Sequence, residues 1–450
     1  MKDSEAVSAD RPPSWLVLLA VATFVVHLVF GVYYATKVGS YSPRPTLAVT
    51  GSDYLRSFPG WGTENELDSA ANNRAAMSVL QTGVPRSREG VLFLRAPVYA
   101  YFVAASYAIG GIRLLSIAVA HAALSALICL LLGLAARRMP GTSGIAWIAP
   151  PLLYFVNLRV AMYIGYVIPL ILPLFFTAVT LWAATRPADG TQAGLIAVSI
   201  VLGIYSQAAY FVVAFAVAIW LAWRFFRFKR NMDLVAAAVI LLFVGVKFPL
   251  TWLDVGGTAY DPARADDRGG TLWLANNPYY ESLRPWSLWE LRPQNPWSNW
   301  KRSDQEQKRF EDYLARASGN ELRAALLWMR ENPVQYATLC AVRFRTEIGP
   351  YTGQMSPRNR QISTVVWLLI FPAGFCGLWK TRSQPVSMLV LLIFLAVGGF
   401  NTLFIEEGYL RYRMPVDLLL TLFAGAAYSD WTSRFCRASN SSNTATIRCP

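Results

Sequence analysis

Histidine is nearly missing from this chain. His27 and His121 are the only two in 450 residues, and each lies inside a long apolar run. With so few imidazoles, no metal-site spacing can be assembled from histidine, and a packed core role suits both. Cysteine is also sparse, and its placement excludes a disulfide framework. Cys129 and Cys376 lie in apolar runs, Cys436 and Cys449 follow the last one, and only Cys340 falls in a hydrophilic loop. Charge is scarce too, at 15% of residues against 54% hydrophobic. That ratio excludes an ordinary soluble chain of this length, which would divide into two or three domains with charged surfaces. The net charge of +14 does not indicate a nucleic-acid partner. The longest hydrophilic stretch, 254–363, holds 15 Lys/Arg against 13 Asp/Glu, so the excess of cations sits at the ends of apolar runs.

What is abundant is apolar sequence in blocks of roughly 17–25 residues, the length that crosses a bilayer. Spans are expected near 15–36, 114–135, 144–156, 164–185, 191–207, 209–226, 232–253, 364–379, 385–405 and 414–430. The chain therefore reads as an all-α polytopic membrane protein with about 10 transmembrane helices. Three places are ambiguous. The block 144–156 is short and can extend into Asn157-Leu158; 191–226 suits either a tight hairpin or one broken helix; 96–112 suits either a span or a surface helix. Lys and Arg near span ends mark the cytoplasmic side, and this rule decides the last case. With 96–112 on the surface, Lys2 and Arg11, Arg137-Arg138, Arg186, Arg224 to Arg230, Lys380-Arg382 and Arg434-Arg437 all fall on one side. Both termini are then cytoplasmic, and the first apolar segment, too long for a signal-peptide core, is a retained anchor. The organisation follows: 1–253 as an N-terminal transmembrane module containing a first external loop (37–113), 254–363 as a large external loop, and 364–450 as C-terminal spans with a cytoplasmic tail. A bacterial inner (plasma) membrane is the expected location.

The polar chemistry must then lie in the two external loops. In the first, Glu64, Glu66 and Asp68 precede a segment, Ser69 to Leu80, that can be helical with Gly83 as its stop. Asp68 reads either as a helix N-cap or as a functional acid. Arg95-Ala96-Pro97-Val98-Tyr99 opens the surface segment that returns the chain toward that acid. The large loop carries Trp252, Trp273, Trp286, Trp289, Trp297 and Trp300, which suit an aromatic belt or stacking on sugar rings. Asn276 and Asn277 can hydrogen-bond sugar hydroxyls, and Asn-Asn-Pro equally forms a turn. Two juxtamembrane helices are expected at 304–317 and 320–347, the second broken at Pro333.

Asp68 and Gly83 stand 15 residues apart, followed by a basic residue before a Pro-x-Tyr element, Arg95-Ala96-Pro97-Val98-Tyr99. In this the sequence resembles the integral-membrane glycosyltransferases that use polyprenyl-phosphate sugars, among them the protein O-mannosyltransferases and the lipid A aminoarabinose transferases. Gly269 to Pro278, Ala324 to Arg345 with Glu331-Asn332-Pro333, and Glu407 through Arg411-Tyr412-Arg413-Met414-Pro415 are similar to bacterial members. The resemblance implies a GT-C-like fold and an inverting transfer of a monosaccharide from a polyprenyl-phosphate donor. The acceptor would be a glycan, lipid or protein at the external face, and no cofactor is implied, with a divalent metal left open. Asp68 would be the catalytic base, while Arg95, Arg411 and Arg413 would bind the donor phosphate. Glu66, Tyr99, Asn276, Asn277 and Glu407 would be further substrate contacts. Two departures stand out. The acid that many members carry in the second external loop is missing from Asn157 to Leu170, which has only Arg159, Tyr163 and Tyr166. The Asp-Glu-x-x-Tyr form is reduced to Asp68-Ser69-Ala70-Ala71-Asn72. Two other classes fit a polytopic chain: an O-antigen-type polymerase or ligase, whose main loop would carry a histidine that 254–363 lacks, and a flippase or transporter. A transporter would show more ionisable residues within spans than His27, His121 and Lys247.

Overall fold

The structure is a computed structural model. It describes residues 12–38, 45–58, 61, 68–88, 91–139, 144–255, 272, 276, 278, 304–350, 357–404 and 410–442. These are almost wholly helical, as a chain that must satisfy its backbone inside a bilayer requires. Helix α1 (Ser14–Tyr33) leads through a π-turn, Tyr34–Val38, to the first loop, which holds α2 (Gly51–Arg56), α3 (Asp68–Thr82), a two-stranded hairpin of β1 (Arg86–Arg88) and β2 (Val91–Leu92), and α4 (Pro97–Gly110). The bundle continues with α5 (Leu114–Arg138), α6 (Ile145–Phe155), the single turn α7 (Leu158–Ala161), α8 (Ile171–Ala184), α9 (Gly190–Ser206), α10 (Phe211–Phe228) and α11 (Asn231–Val255). A helical group of α12 (Asp304–Arg316), α13 (Glu321–Glu331) and α14 (Pro333–Ile348) precedes α15 (Pro357–Lys380), α16 (Pro385–Phe404) and α17 (Leu410–Ser442).

A helix stands at each of the ten expected span positions, with differences of extent: residues 164–170 turn, so that α8 starts only at Ile171, and α15 and α17 run beyond 364–379 and 414–430. Among the described residues, five stretches are long and apolar enough to cross a membrane unaided: Ser14–Val38, Leu114–Arg138, Phe211–Phe228, Arg360–Lys380 and Pro385–Leu403. Ile145–Ala161, Ile171–Ala184 and Gly190–Ser206 are apolar but shorter. The ambiguity at 191–226 resolves as a hairpin. The chain reverses at Gln207–Tyr210, and Arg224 near the end of α10 donates to Gln192 Oε1 at the start of α9 at 2.7 Å. Helix α4 is 14 residues, about 21 Å, short of the roughly 30 Å hydrocarbon layer. It lies on α3 and α5 with Tyr99, Val103 and Tyr107 buried and Ile109 outward.

Three apolar cores hold these parts. The main core joins α5, α6 and α8 to α11 with α15 to α17, and α1 lies against α5 with Val17, Leu18, Val21, Val25 and Val29 turned outward. Outward aliphatics in such a row are the surface a protein offers to lipid, since a soluble chain would bury them. The second core packs α2 to α4 on the ends of α5 and α8, and the third gathers Tyr313, Ala324, Ala325 and Trp328 within α12 to α14. Helix α15 packs closely on α17, where a Cβ at Gly377 would collide with the Phe423 carbonyl. Pro333 breaks the second loop helix where its missing N–H and fixed φ predict, and becomes the first residue of α14.

Candidate functional site

The first loop is built around the two ends of α3. Its C-terminus stops at Gly83, whose φ of +76° only glycine adopts without strain. The Gly83 N–H closes on Val79 O at 2.8 Å, and its carbonyl accepts from Tyr101 of α4 at 3.0 Å. Asp68 is the first residue of α3, and its Oδ1 accepts from Arg95 Nη2 at 2.9 Å. The carboxylate thus reaches across the loop to the guanidinium that precedes α4. The pair is open: 28% of the Asp68 side chain and 54% of the Arg95 side chain meet solvent.

A residue from the bundle fixes this arrangement. Lys247 of α11 is 4% exposed, and its ammonium donates to the carbonyls of Leu94 and Arg95, the latter at 3.0 Å. It also stands 5.2 Å from the Tyr205 ring centre. The backbone that carries Arg95 is thereby tied to a helix 152 residues further on. Sequence reading noted Lys247 only as an ionisable residue in a span. A charge buried within an apolar helix is a functional signal in a membrane protein, and it would have found this contact.

Tyr99 faces away from the pair into the core, with its hydroxyl 3.3 Å from His121 Nε2. His121 Nδ1 lies 3.0 Å from the Ile164 carbonyl, so Nδ1 carries the proton and Nε2 accepts from Tyr99. Both histidines are packed and hydrogen-bonded, since His27 likewise meets Ser125 Oγ at 2.8 Å and Phe155 O at 3.0 Å. Asn72 donates to Val167 O at 3.3 Å, joining α3 to the 158–170 segment.

Arg413 belongs to a different constellation. Its Nε lies 3.3 Å from Asp417 Oδ1, and the other oxygen of Asp417 lies 3.0 Å from Arg159 Nη2. All three side chains are at most 3% exposed. Arg413 also donates to the carbonyls of Glu347, at 2.7 Å, and Gly349, closing the C-terminus of α14. Glu347 itself accepts from Asn401 Nδ2 at 3.1 Å. Burial pushes its carboxyl up to about 7, against the opposing pull of Arg413 and Asn401. One turn back, Arg343 donates to Asn276 Oδ1 at 3.0 Å, and Asn276 donates to Leu272 O at 2.9 Å, so that amide is engaged at both ends. The second-loop segment thus carries a cation, and the carboxylate facing it comes from the last helix. Glu66, Asn277 and Glu407 lie outside the described residues, as do the side chain of Arg411 and the tryptophans Trp273, Trp286, Trp289, Trp297 and Trp300.

No family model matches the sequence, and no curated protein matches it. Among solved structures the chain is similar to the archaeal oligosaccharyltransferase AglB from Archaeoglobus fulgidus in complex with an inhibitory peptide and a dolichol-phosphate. That likeness has 12% identity, a TM-score of 0.47 and coverage of 96% of this chain but 52% of that one. It is similar also to ArnT from Cupriavidus metallidurans bound to undecaprenyl phosphate, at 12% identity and a TM-score of 0.41, covering 97% of this chain and 82% of that one. The apo form of that ArnT gives 12% identity and a TM-score of 0.37 over 92% and 78% of the two chains. The chain spans about half the length of the oligosaccharyltransferase.

Proposed function

We propose that this chain is an inverting glycosyltransferase of the membrane. It would move a monosaccharide from a polyprenyl-phosphate donor to a hydroxyl on a glycan, lipid or protein acceptor, at the face that bears Asp68 and Arg95. The observation that carries this reading is the open Asp68–Arg95 pair held against the bundle by Lys247. A carboxylate and a guanidinium in contact, half in water beside an apolar bundle, are the two groups such a transfer needs. The donor phosphate competes for the Arg95 fork, which matches its oxygens in shape and charge. Asp68, released from the pair, accepts the proton of the acceptor hydroxyl. The acceptor oxygen bonds to the anomeric carbon from the side opposite the phosphate, the bond from that carbon to the phosphate oxygen breaks, and its electron pair leaves on the phosphate beside Arg95. The configuration at that carbon inverts. Arg411, at the start of α17, is a second clamp in this reading, and Glu66, Asn277 and Glu407 are contacts to substrate. Arg413 acts from behind, by closing the end of α14.

The same reading keeps the external placement of loops 37–113 and 254–363 between the modules 1–253 and 364–450, with cytoplasmic termini in a bacterial plasma membrane. A reporter fused within 270–300 should report the external side, and a cytoplasmic signal overturns that orientation. The chemistry is tested by supplying the protein in lipid with a polyprenyl-phosphate sugar and an acceptor mixture and following donor consumption. Asp68→Asn should lower turnover by about 10²–10⁴-fold, the usual contribution of a positioned general base. Full turnover in that variant removes Asp68 from the reaction.

A further inference from the structure

At the end of the bundle away from Asp68, the helices place arginines on tryptophans. Helix α5 carries the chain 25 residues from Leu114, beside the first loop, to Arg137 and Arg138 at the far end. There the Arg138 guanidinium lies 5.2 Å from the Trp182 ring centre, and Arg186, just past α8, lies 4.9 Å from the same ring. Arg137 lies 6.0 Å from Trp147 alongside. Two cations on one indole repel each other, and stacking offsets only part of that. The carboxylates that the described helices bring to this end are committed elsewhere. Asp189 accepts from Gln192 N at 2.7 Å, Asp233 pairs with Arg224 at 3.1 Å, and Asp430 pairs with Lys380 and, at 2.8 Å, with Arg434. Arg186 has no hydrogen-bond or ion-pair partner for its guanidinium among the described residues, and the covered Trp182 Nε1–H has no acceptor there. Arg138 and Arg186 are half-buried, open enough for a ligand to reach.

We propose that Arg138 and Arg186, stacked on Trp182, form a binding site for the phosphate of an anionic membrane lipid, separate from the Asp68–Arg95 site. Stacking occupies the face of a guanidinium and leaves its N–H edge in the ring plane, the edge that forks onto phosphate oxygens. A phosphate bound by the two cations removes their repulsion and gives the Arg186 guanidinium an acceptor. The position suits a headgroup, because both arginines sit where apolar helices end.

The test uses the full chain, stripped of lipid in neutral detergent and given phosphatidylglycerol, phosphatidylcholine or inorganic phosphate in separate arms. Bound lipid is counted by native mass spectrometry, and thermal unfolding is followed in parallel. Phosphatidylglycerol should be retained and should raise the unfolding temperature. Arg138→Gln with Arg186→Gln should bind it at least about tenfold more weakly while unfolding, without lipid, as the parent does. Arg382→Gln, removing another guanidinium stacked on a tryptophan, Trp379 at 4.9 Å, should leave binding unchanged. If the double variant without lipid unfolds early, Arg138→Lys with Arg186→Lys replaces it, and partial retention of phosphatidylglycerol is then expected. Equal retention of phosphatidylcholine, or undiminished phosphatidylglycerol binding by the double variants, overturns the site. Inorganic phosphate giving the same protection at the same concentration overturns the lipid as its ligand.

Discussion

Two constellations of the same chemistry, arginine against aspartate, stand in opposite conditions in this molecule. Asp68 and Arg95 meet at the surface of the first loop through a hydrogen bond of 2.9 Å, with about half of the Arg95 side chain exposed to water. Arg159, Asp417 and Arg413 meet inside the helices, with every side chain nearly fully buried. The open pair gains little Coulomb energy in high dielectric and separates easily; the buried triad cannot separate without stranding a charge. Coupled reactivity belongs with the first, and mechanical linkage of α7, α14 and α17 with the second.

The largest test of this contrast is Asp417→Asn. It leaves two buried guanidiniums without their shared carboxylate, and a loss of about 3–5 kcal/mol is expected, read as the drop in unfolding temperature in detergent. Replacing all three at once, Arg159→Met, Asp417→Leu and Arg413→Met, should recover most of that loss, because no stranded charge remains. If Asp417→Asn alone is silent, the triad is not a lock.

Next in size is a pH effect from Glu347, which sits where Arg413 closes α14. Its carboxyl is held near 7 by burial, above the ordinary 4.5 it regains on unfolding. The folded state therefore binds the proton more tightly, and stability should rise as pH falls from about 7 to about 4.5, by order 3 kcal/mol in full. Glu331, exposed and held low by Arg316, acts in the opposite sense and only at the acid end of that range. Unfolding temperatures from pH 5 to 8 should fall with rising pH in the parent, and Glu347→Gln should flatten the profile. A parent profile already flat over this range excludes the effect.

Lys247 links the two situations, since it is a buried charge that serves the open pair. Lys247→Met strands the carbonyls of Leu94 and Arg95 and should cost about 1–3 kcal/mol. It should also lower donor consumption, because Arg95 then loses its placement. Loss of stability with unchanged turnover per folded molecule would separate Lys247 from the site.

Much of this was legible in the sequence, for physical reasons that differ by region. Apolar blocks of bilayer length announce α1, α5, α10 and α16 because lipid leaves the backbone no alternative, and Pro333 announces a break because it cannot donate to the preceding turn. The 15-residue step from Asp68 to Gly83 matches α3 because its stop requires positive φ. The triad was not legible: Arg159 of α7 and Asp417 and Arg413 of α17 stand more than 250 residues apart in sequence, and no local pattern carries a tertiary contact. The absence of an acid from the second loop was visible, but that its segment holds a cation facing an acid on α17 required the fold. Arg413 reads in the sequence as a phosphate ligand for the same reason it closes α14, because a guanidinium fork takes phosphate and carbonyl oxygens alike.

The smallest stability effect belongs to the open pair, and it discriminates best. Asp68→Asn and Arg95→Gln should each shift unfolding by no more than about 1 kcal/mol, since an ion pair this exposed is worth little and is screened by salt. Because the two residues touch, the double variant should differ from the sum of the single ones by the pair's own small energy. Donor consumption should behave differently. Either single change should abolish most turnover, and the double change should cost little more than the worse single one, as groups acting in one step do. Arg95→Lys keeps the charge but not the fork, so it should fall between the parent and Arg95→Gln. Additive losses of activity would mean that the two residues work in separate steps, and the pair would then be a surface contact of the first loop like any other.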